Sequence, residues 1–412
     1  MLPIRIWFRY WWRSLVDRVW ALYHWYTYRP GDKQILVVGG SWGGYTLARR
    51  LANGVPSGYR VVVVERATHH HHTFAFPRYS VVSGHEEKGF IPITEQKPGQ
   101  WPRGALEVVV GECVSVDEDS RSIALADGRT LDYEYLAIAT GANVGEPANS
   151  QDGFAKDVAI SELRRNQKRI EASDSVAVIG AGAVGVELAA DIKSVYPTKH
   201  VTLYCSRDRL LVRFPESVHA EAAAELARLG VEVRYGVRPG REENTIVLAD
   251  GRREAFDLVF KCTGEVPNSQ GFEQFCDARG YIKVTDTLQV EDHNPGGRIF
   301  CLGDVNNFEC PKMARSAMAQ ARVVDANISA MAAAPDRKNY NLSTYTPAEV
   351  EGALRLTLGL DKNILHLDGK TTDFPVCAVD MEPHYIWDYF NVPRTFGPGL
   401  IPEDVSCDKK EN

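Results

Sequence analysis

The stretch Ser175-Val-Ala-Val-Ile-Gly-Ala-Gly-Ala-Val-Gly185 decides the fold that this sequence predicts. It joins a short apolar run, typical of a buried strand, to three glycines spaced GxGxxG and then to a helical pattern that continues to Ile192. At such a strand-to-helix turn, glycines let the backbone approach a diphosphate, whose charge the N-terminus of the helix stabilises. The complete motif in this context predicts a Rossmann-type dinucleotide-binding unit.

The same pattern occurs earlier in the chain. The apolar run Gln34-Ile-Leu-Val-Val-Gly39 leads into the glycine cluster Gly39-Gly40-Ser41-Trp42-Gly43-Gly44, and a helical pattern follows from Tyr45 to Leu51. Serine stands at position 41, where the second required glycine usually lies, so a side chain is placed close to the path of the diphosphate. We predict a second dinucleotide-binding unit here, supported also by the residues that follow it.

A short internal repeat indicates that the two units share one architecture. The sequence Leu-Ala-Asp-Gly-Arg occurs at 125–129 and again at 248–252, and each copy precedes an apolar strand that ends in Thr-Gly, at Thr140-Gly141 and Thr263-Gly264. The interval from the glycine of the repeat to the glycine of the Thr-Gly pair is 13 residues in both copies (128 to 141 and 251 to 264). Matched spacing predicts two parallel Rossmann-like sheets, each with a small antiparallel insertion before its last strand.

The ends of the second strands distinguish the two units. In the first unit the strand 61–64 ends at Glu65, 26 positions after Gly39 (39 to 65), where an acid accepts hydrogen bonds from an adenosine ribose; a solvated carboxylate is the alternative. In the second unit no acid follows strand 201–204, and Arg207 is free to pair with a 2'-phosphate unless it pairs with Asp208. We therefore expect NADPH to be accepted and favoured.

Composition excludes several classes of function. A hydrophobic content of 44 % with 25 % charged residues is typical of a globular protein, and a net charge of −7 gives no overall attraction to nucleic acid. The eight cysteines contain no CxxC pair and no zinc-like spacing, which favours a reducing compartment and predicts no metal site. It also excludes a redox-active CxxC disulfide, so electrons are expected to leave a flavin directly.

Residues 1–29 differ in composition from the rest of the chain. They hold five of the eight tryptophans and five arginines, with Asp17 the only acid, in an amphipathic helical pattern. The longest stretch without Arg or Asp runs from Val19 to Tyr28, too short for a membrane span. We expect a helix lying at a membrane interface and a peripheral, intracellular location; a helix docked on the protein itself and a mitochondrial presequence are the alternatives.

An ordered set of motifs resembles the apoptosis-inducing-factor-like FAD/NAD(P)H oxidoreductases. The resemblance is strongest to the branch of ferroptosis suppressor protein and its fungal relatives, with type II NADH dehydrogenases more distant, and it covers about residues 33–335. The motifs that carry it are Gly39 to Gly44, His69 to His72 with Phe76-Pro77-Arg78, Ala139 to Gly141, Gly180 to Glu187, Cys262 to Gly264, Gly303-Asp304 and Pro311 to Ala314.

The resemblance implies a set of cofactor contacts. The ADP half of FAD is expected at Gly39, Gly40, Ser41, Trp42, Gly43, Gly44 and Glu65, with Arg66, Arg78, Thr140 and Gly141 nearby. Gly303 and Asp304 are expected at the ribityl or pyrophosphate region of the flavin. The nicotinamide cofactor is expected at Gly180, Gly182 and Gly185, with Thr263 and Gly264 beside it. Arg207 is expected there too, because of its position after strand 201–204.

Two residues are expected to act in catalysis. Glu187 matches an acid that the family places toward the nicotinamide; a structural role with a helical neighbour four residues away is the alternative. Lys312 lies at the start of a predicted helix from about Lys312 to Met331. The N-terminal end of this helix would stabilise a reduced flavin at N1 and O2, and Lys312 would add a positive charge there. An exposed lysine at the start of that helix is the alternative. The four histidines His69 to His72 are interpreted as a loop beside the adenosine site, because consecutive residues cannot all face one metal ion.

The predicted fold class is α/β, with two Rossmann-like domains arranged as in glutathione-reductase-like flavoproteins and a C-terminal α+β layer. The predicted boundaries are an N-terminal membrane-interface helix (1–30), the FAD-binding domain in two parts (31–150 and 271–335), the NAD(P)H-binding domain (151–270) and the C-terminal layer (336–412). In that layer the alternating run 354–358 predicts antiparallel strands, and the acceptor site is expected around Tyr385 to Phe396.

Three functions remain open from sequence. The first is an NAD(P)H:quinone oxidoreductase that takes a hydrophobic small-molecule acceptor. The second is an FAD-dependent tailoring enzyme acting on an aromatic or polyketide-like metabolite, and the third is a non-enzymatic redox-sensing flavoprotein. A homodimer is left open as well.

Overall fold

A computed structural model describes residues 23, 25–150, 153–337, 339–375 and 378–394. The chain forms two compact units, each assembled from three stretches. Unit 1 contains the described residues up to Arg66, then Lys97–Ala142 and Pro267–Glu351. Unit 2 contains Ala67–Gln96, Asn143–Val266 and the described residues from Gly352 onward.

Short strands and α-helices make up most of the regular secondary structure of the described residues. The strands are β1 (Lys33–Val38), β2 (Tyr59–Glu65), β3 (His69–His71), β4 (Phe90–Pro92), β5 (Leu106–Val110), β6 (Cys113–Asp117), β7 (Ser122–Leu125), β8 (Thr130–Asp132), β9 (Tyr135–Ile138), β10 (Ala142–Val144), β11 (Ser175–Ile179), β12 (His200–Tyr204), β13 (Glu232–Arg234), β14 (Gly240–Glu242), β15 (Thr245–Val247), β16 (Arg253–Ala255), β17 (Leu258–Lys261), β18 (Glu265–Pro267), β19 (Ile299–Cys301), β20 (Leu354–Leu358), β21 (Lys362–Leu367) and β22 (Lys370–Pro375). The α-helices are α1 (Trp42–Ala52), α2 (Phe76–Tyr79), α3 (Lys156–Ala172), α4 (Ala183–Val195), α5 (Glu216–Leu229), α6 (Ala314–Ala333) and α7 (His384–Tyr389).

Unit 1 is built on a five-stranded parallel sheet in the order β19-β9-β1-β2-β5. Its central strand β1 is a continuous apolar run because helices cover both faces of such a sheet, and Ile35, Leu36 and Val37 are fully buried. Helices α1 and α6 pack against each other. This order, with crossovers between neighbouring parallel strands, is the doubly wound arrangement that the first glycine cluster predicts.

Unit 2 contains a four-stranded parallel sheet in the order β13-β12-β11-β17. A three-stranded antiparallel sheet, β20-β21-β22, belongs to the same unit, and helix α4 packs against its first strand. The antiparallel strands predicted from the alternating run at 354–358 are therefore confirmed.

The predicted duplication is visible in the small sheets. Strands β6-β7-β8 and β14-β15-β16 form two antiparallel three-stranded sheets, each followed directly by a strand of a parallel sheet. In the turn of each copy, the aspartate Oδ1 accepts the backbone N–H of the arginine two residues later, at 3.1 Å for Asp127 and 3.0 Å for Asp250. Identical sequence produces the same turn twice because the same side chain supplies the same local hydrogen bond.

The division into units differs from the boundaries expected from sequence. The segment 67–96, expected in the first domain, lies in unit 2, and the C-terminal part of unit 2 begins at Gly352, later than residue 336. The physical reason is a set of polar contacts that hydrophobic patterns do not reveal. Within unit 2, Lys88 forms an ion pair with Asp380 at 2.7 Å, and the Tyr79 hydroxyl donates to the Asp380 carbonyl at 2.9 Å.

Membrane-spanning helices and metal clusters are both absent from the described residues. Among them, no helix is both long and apolar enough to cross a membrane. Within the same part of the chain, no group of three or more His, Cys, Asp or Glu side chains is placed to hold a metal ion. The amphipathic pattern predicted for residues 1–29 lies almost entirely outside the described residues, as does the end of the predicted acceptor region.

Candidate functional site

The first glycine cluster forms a tight turn between β1 and α1. Gly39 has a φ of +105°, and a Cβ added there would lie 2.4 Å from the carbonyl oxygen of Ala139. A Cβ on Gly44 would lie 1.8 Å from the carbonyl oxygen of Gly39. Position 39 therefore requires glycine for its backbone conformation, and position 44 requires it because the helix lies directly against the turn.

Ser41 occupies the position equivalent to Gly182 in the second cluster. Its backbone is extended (φ −83°, ψ −157°), as is that of Gly182 (φ −79°, ψ −176°), so serine causes no backbone strain. The Ser41 side chain is exposed and makes no capping hydrogen bond to α1. Helix α1 begins at the next residue, Trp42, and the first N–H groups of a helix have no acceptor within the helix itself.

Glu65 lies at the end of β2, where the sequence predicts a ribose-binding acid. Its Oε2 accepts the backbone N–H of Gly40 at 2.6 Å, so the carboxylate is tied to the glycine turn and is not merely solvated. Arg66 follows at the end of the same strand, and burial lowers the pKa of its guanidinium. The structure thus brings Glu65 and the first turn together, as the spacing predicts.

The Thr140-Gly141 pair follows β9 at the same edge of the sheet as the first turn. Gly141 has a φ of +70°. Asn268, which no motif singled out, holds this pair in place. The Thr140 hydroxyl donates to the Asn268 carbonyl at 2.6 Å, and the Asn268 side chain donates back to the Thr140 carbonyl at 3.0 Å. Sequence offered no signal for Asn268, because its partner lies 128 residues away.

Gly303 and Asp304 follow β19, which is also parallel to β9 and ends at this edge. Gly303 has a φ of +81°. Lys312 precedes α6, which begins at Ala314, and its ammonium donates to the carbonyl of Asn306 at 2.5 Å and to that of Phe308 at 3.4 Å. Lys312 is therefore a partly buried residue that closes this loop, which differs from the exposed lysine of the alternative interpretation.

The second glycine cluster, in unit 2, repeats the construction of the first. Gly180 has a φ of +112°, and a Cβ there would lie 2.5 Å from Cγ2 of Thr263. A Cβ on Gly185 would lie 1.9 Å from the carbonyl oxygen of Gly180. At Gly182 a Cβ would meet no atom within 4 Å, and the same holds at Gly264, so open space lies over the turn. The two turns have the form that diphosphate groups require.

Arg207 lies exposed beyond the end of β12. Within the described part of the chain its side chain has no ion pair, so the alternative of a pair with Asp208 is not observed. The backbone N–H of Gly236 donates to the Arg207 carbonyl, and that of Val237 donates to Cys205, both at 2.9 Å. These bonds bring the backbone of a second arginine, Arg238, close to Arg207. Sequence reasoning missed Arg238 because it belongs to a different strand connection.

Glu187 lies on α4 and is buried, with 9 % of its surface exposed. Its Oε1 accepts the backbone N–H of Thr357 at 3.0 Å and the Thr357 hydroxyl at 3.1 Å. Burial raises the pKa of this carboxyl to about 8, with a smaller contribution from Asp191, so it is mostly neutral at pH 7. The partner of Glu187 is therefore Thr357 in β20, and the helical neighbour Asp191 acts on it only through its charge.

Arg78, expected near FAD, lies within unit 2. Its guanidinium is fully buried and ion-paired with Asp191 at 2.8 Å. It also donates to the carbonyl of Gly359 at 2.9 Å and to that of Val379 at 3.2 Å. These contacts join α2, α4 and the C-terminal layer inside one unit, so the structure gives Arg78 a packing role, and its contact with FAD stays a prediction.

Three of the four histidines, His69–His71, form a strand, so the predicted loop is wrong for these three. Strand β3 pairs with β4, and His70 packs on Phe390 with ring centroids 4.1 Å apart. Burial lowers the pKa of His72 to about 4 and that of His70 well below its usual value. Both imidazoles are buried and are therefore neutral at physiological pH.

Replacing Glu187 by glutamine is expected to change how stability depends on pH. Because the folded pKa is about 8 and the ordinary value is 4.5, Glu187 contributes stability that is present below about pH 4.5 and is lost as pH rises toward 8. Each pKa unit of difference between the folded and ordinary values corresponds to about 1.4 kcal/mol of unfolding free energy. The free energy of unfolding of wild type is expected to fall more steeply than that of Glu187→Gln between pH 5 and 8, and parallel curves would contradict the buried, neutral carboxyl.

The glycine turns and their sheets are features of a known family. The sequence model of the family described as "Pyridine nucleotide-disulphide oxidoreductase" matches residues 33–321, and the chain belongs to this family. It is a flavoprotein oxidoreductase that uses NAD(P)H. The six cysteines within the described residues are all free.

Several relatives align over most of the chain. Fe-regulated protein 8 of Mycosarcoma maydis is 33 % identical over 86 % of this chain and 94 % of its own length. Ferroptosis suppressor protein 1 of Homo sapiens is 30 % identical over 81 % of this chain and 87 % of its own length. The predicted resemblance to the ferroptosis suppressor branch is confirmed.

Solved structures of low sequence identity share the fold. The sulfide:quinone oxidoreductase of Aquifex aeolicus superimposes with a TM-score of 0.68 at 16 % identity, covering 87 % of this chain and 90 % of that one. NDH2 of Plasmodium falciparum, solved in complex with NADH, gives a TM-score of 0.65 at 14 % identity, covering 87 % and 94 %.

Proposed function

We propose that this protein is an NAD(P)H:acceptor oxidoreductase that holds FAD in unit 1, binds NAD(P)H in unit 2 and reduces a quinone-like hydrophobic acceptor. The observation that supports this function most is the pair of glycine turns with the same construction. Each turn joins a strand of a parallel sheet to the N-terminus of the helix that follows. When bound, FAD accepts a hydride from the nicotinamide and passes electrons onward.

The residues of unit 1 fit this cofactor. The turn at Gly39 to Gly44 would receive the diphosphate, Glu65 the adenosine ribose, and Gly303-Asp304 the ribityl region, with Thr140 and Gly141 beside them. Gly180, Gly182 and Gly185 of unit 2 would hold the nicotinamide dinucleotide, next to Thr263 and Gly264. Their contribution is to fix position and to supply N–H donors, because hydride transfer depends mainly on the placement of the two rings.

The acceptor is proposed from two observations. The chain has no CxxC pair, so no redox-active disulfide of that type stands between the flavin and the substrate. The fold is shared with a sulfide:quinone oxidoreductase and with NDH2. Glu187 is a neutral buried carboxyl and Lys312 a fixed cation; we propose that they act near the nicotinamide and the flavin respectively.

The proposal is tested on the full-length protein. A visible flavin spectrum that is bleached by anaerobic NADPH, and steady turnover with a soluble quinone, are the expected results. Bleaching without turnover favours the redox sensor, and turnover only with aromatic metabolites favours the tailoring enzyme. A colourless protein that cannot be reconstituted with FAD overturns the proposal.

Cosedimentation with anionic vesicles tests the proposed membrane contact of residues 1–30. A protein that stays in the supernatant contradicts that contact.

Replacing Arg207 by alanine is expected to lower kcat/KM for NADPH about tenfold while leaving that for NADH within about twofold. Arg207 is exposed and without an ion pair in the described structure, so its charge is available to a 2'-phosphate. The double variant Arg207→Ala/Arg238→Ala is expected to lower the NADPH value further. Arg213→Ala is the control, since Arg213 faces Glu265 at 3.6 Å. If the ratio of kcat/KM for NADPH to kcat/KM for NADH is unchanged in the double variant, neither arginine determines the choice of cofactor.

A further inference from the structure

A buried glutamine on α6 contacts the loop that would receive the flavin. The side chain of Gln320 is fully buried. Its Oε1 accepts the backbone N–H of Gly303 at 2.7 Å and the side-chain N–H of Asn306 at 2.9 Å. Its Nε2 donates to Sγ of Cys310 at 3.3 Å. A buried amide costs free energy unless its polar atoms are bonded, and here both ends are.

All three partners of Gln320 belong to the loop that follows β19. Gly303 adopts a left-handed conformation, and its N–H donates to Gln320. Asn306 also donates to the carbonyl of Cys301 at 3.3 Å, which closes the loop on itself. Lys312 closes the other side through the Asn306 carbonyl. Among these contacts, only that of Gln320 reaches the Gly303 N–H directly.

The same helix also contacts the first glycine turn. Ala317 lies one turn before Gln320 on α6. A Cβ added to Gly43 would lie 3.2 Å from the Cβ of Ala317. One buried face of α6 therefore supports both the Gly43 region and the Gly303 loop within unit 1. Apolar residues would suffice to pack this face, so a fully bonded amide in it needs a reason other than packing.

We infer that Gln320 is a positioning residue that fixes the Gly303-Asp304 turn in the conformation that binds flavin and thereby sets the affinity for FAD. The inference rests on the proposed function, because it assigns FAD to this turn. Gln320 acts through the Gly303 N–H. Without an acceptor, this buried N–H costs about 1–3 kcal/mol and the turn is free to rearrange.

The test compares two buried amides on one helix. Asn327 is 1 % exposed and lies two turns beyond Gln320. Its Nδ2 donates to the carbonyls of Thr287 at 3.0 Å and Ser343 at 2.9 Å, and its Oδ1 accepts the backbone N–H of Ser343 at 2.7 Å. Asn327→Leu removes a similar number of hydrogen bonds away from the Gly303 turn. Gln320→Met removes the acceptor at nearly constant volume, and Gln320→Asn keeps a neutral amide but withdraws its oxygen from the Gly303 N–H by one methylene group. Each full-length variant is stripped of FAD, and its melting temperature and FAD dissociation constant are measured, the latter by flavin fluorescence.

Gln320→Met is expected to raise the FAD dissociation constant about tenfold and Gln320→Asn about fivefold or more, while Asn327→Leu stays within about threefold of wild type. Equal dissociation constants for Gln320→Met and wild type overturn the inference, as does a loss in Asn327→Leu as large as that in Gln320→Met. If Gln320→Met yields no folded apoprotein, Gln320→Asn decides, since an FAD dissociation constant equal to that of wild type in that variant overturns the inference. A wild-type protein that binds no FAD overturns the proposed function instead.

Discussion

Gly185→Ala is expected to abolish reduction of the protein by NAD(P)H, with kcat/KM lowered by about a hundredfold or more, while bound FAD is retained. A methyl group at this position would lie 1.9 Å from the carbonyl oxygen of Gly180. The carbonyl oxygen is part of the backbone and the methyl carbon is fixed directly to it, so neither can turn aside and α4 must move away from β11. That movement withdraws the helix N-terminus from the proposed diphosphate site.

Gly182→Ala is the matched control for this prediction. The same methyl group at Gly182 meets no protein atom within 4 Å, and the backbone there is extended, so the fold is expected to be unchanged. Its KM for NADPH is expected to rise, because the methyl group enters the open space over the turn. Stopped-flow reduction and melting temperature are measured for both variants. Equal loss of stability in both, or normal reduction of Gly185→Ala, contradicts the proposed site.

Arg78→Met is expected to lower the free energy of unfolding by about 3–5 kcal/mol. The variant leaves Asp191 as an uncompensated charge at a side-chain exposure of 0 %, and it deprives the carbonyls of Gly359 and Val379 of their donor. Breaking a buried ion pair from one side costs more than the pair itself contributes, because the remaining charge stays desolvated. Chemical unfolding followed by circular dichroism measures the loss.

Lys156→Met is the control, since Lys156 and Glu87 form an ion pair of similar length, 2.9 Å, but their side chains are 35 % and 37 % exposed. The loss there is expected to stay within about 1 kcal/mol because water screens the pair. The double variant Arg78→Met/Asp191→Leu is expected to recover part of the stability, since it removes both charges together. A loss of unfolding free energy at Arg78 no larger than that at Lys156 would show that the Arg78 ion pair does not stabilise the fold of unit 2.

Local sequence predicted the elements that repeat. The apolar runs at β1 and β11 and the glycines that follow them specify strand, turn and helix through backbone conformation alone, and the turn geometry at Gly39 and Gly180 agrees. The repeated Leu-Ala-Asp-Gly-Arg segment specifies its turn through a hydrogen bond between residues two apart. The position of Glu65 beside the first turn also follows, because adjacent parallel strands end at one edge.

Residues that act through distant partners were not predictable. Asn268 and Gln320 hold candidate cofactor turns, yet no spacing in the sequence marks them. Thr357, the partner of Glu187, lies 170 residues from it. The histidine run at 69–72 gave no helical or alternating pattern, and only the pairing of His69–His71 with β4 shows that these residues form a strand.

The sequence by itself determined the class of fold, the two glycine turns and the family, because these depend on short-range patterns of apolar residues and on conformations that glycine alone adopts without strain. Only the tertiary structure decided which unit holds segment 67–96, the ion pair of Arg78 with Asp191, the neutral state of Glu187 and the contacts of Gln320. These depend on desolvation and on hydrogen bonds between residues far apart in the chain, which short-range sequence patterns do not specify.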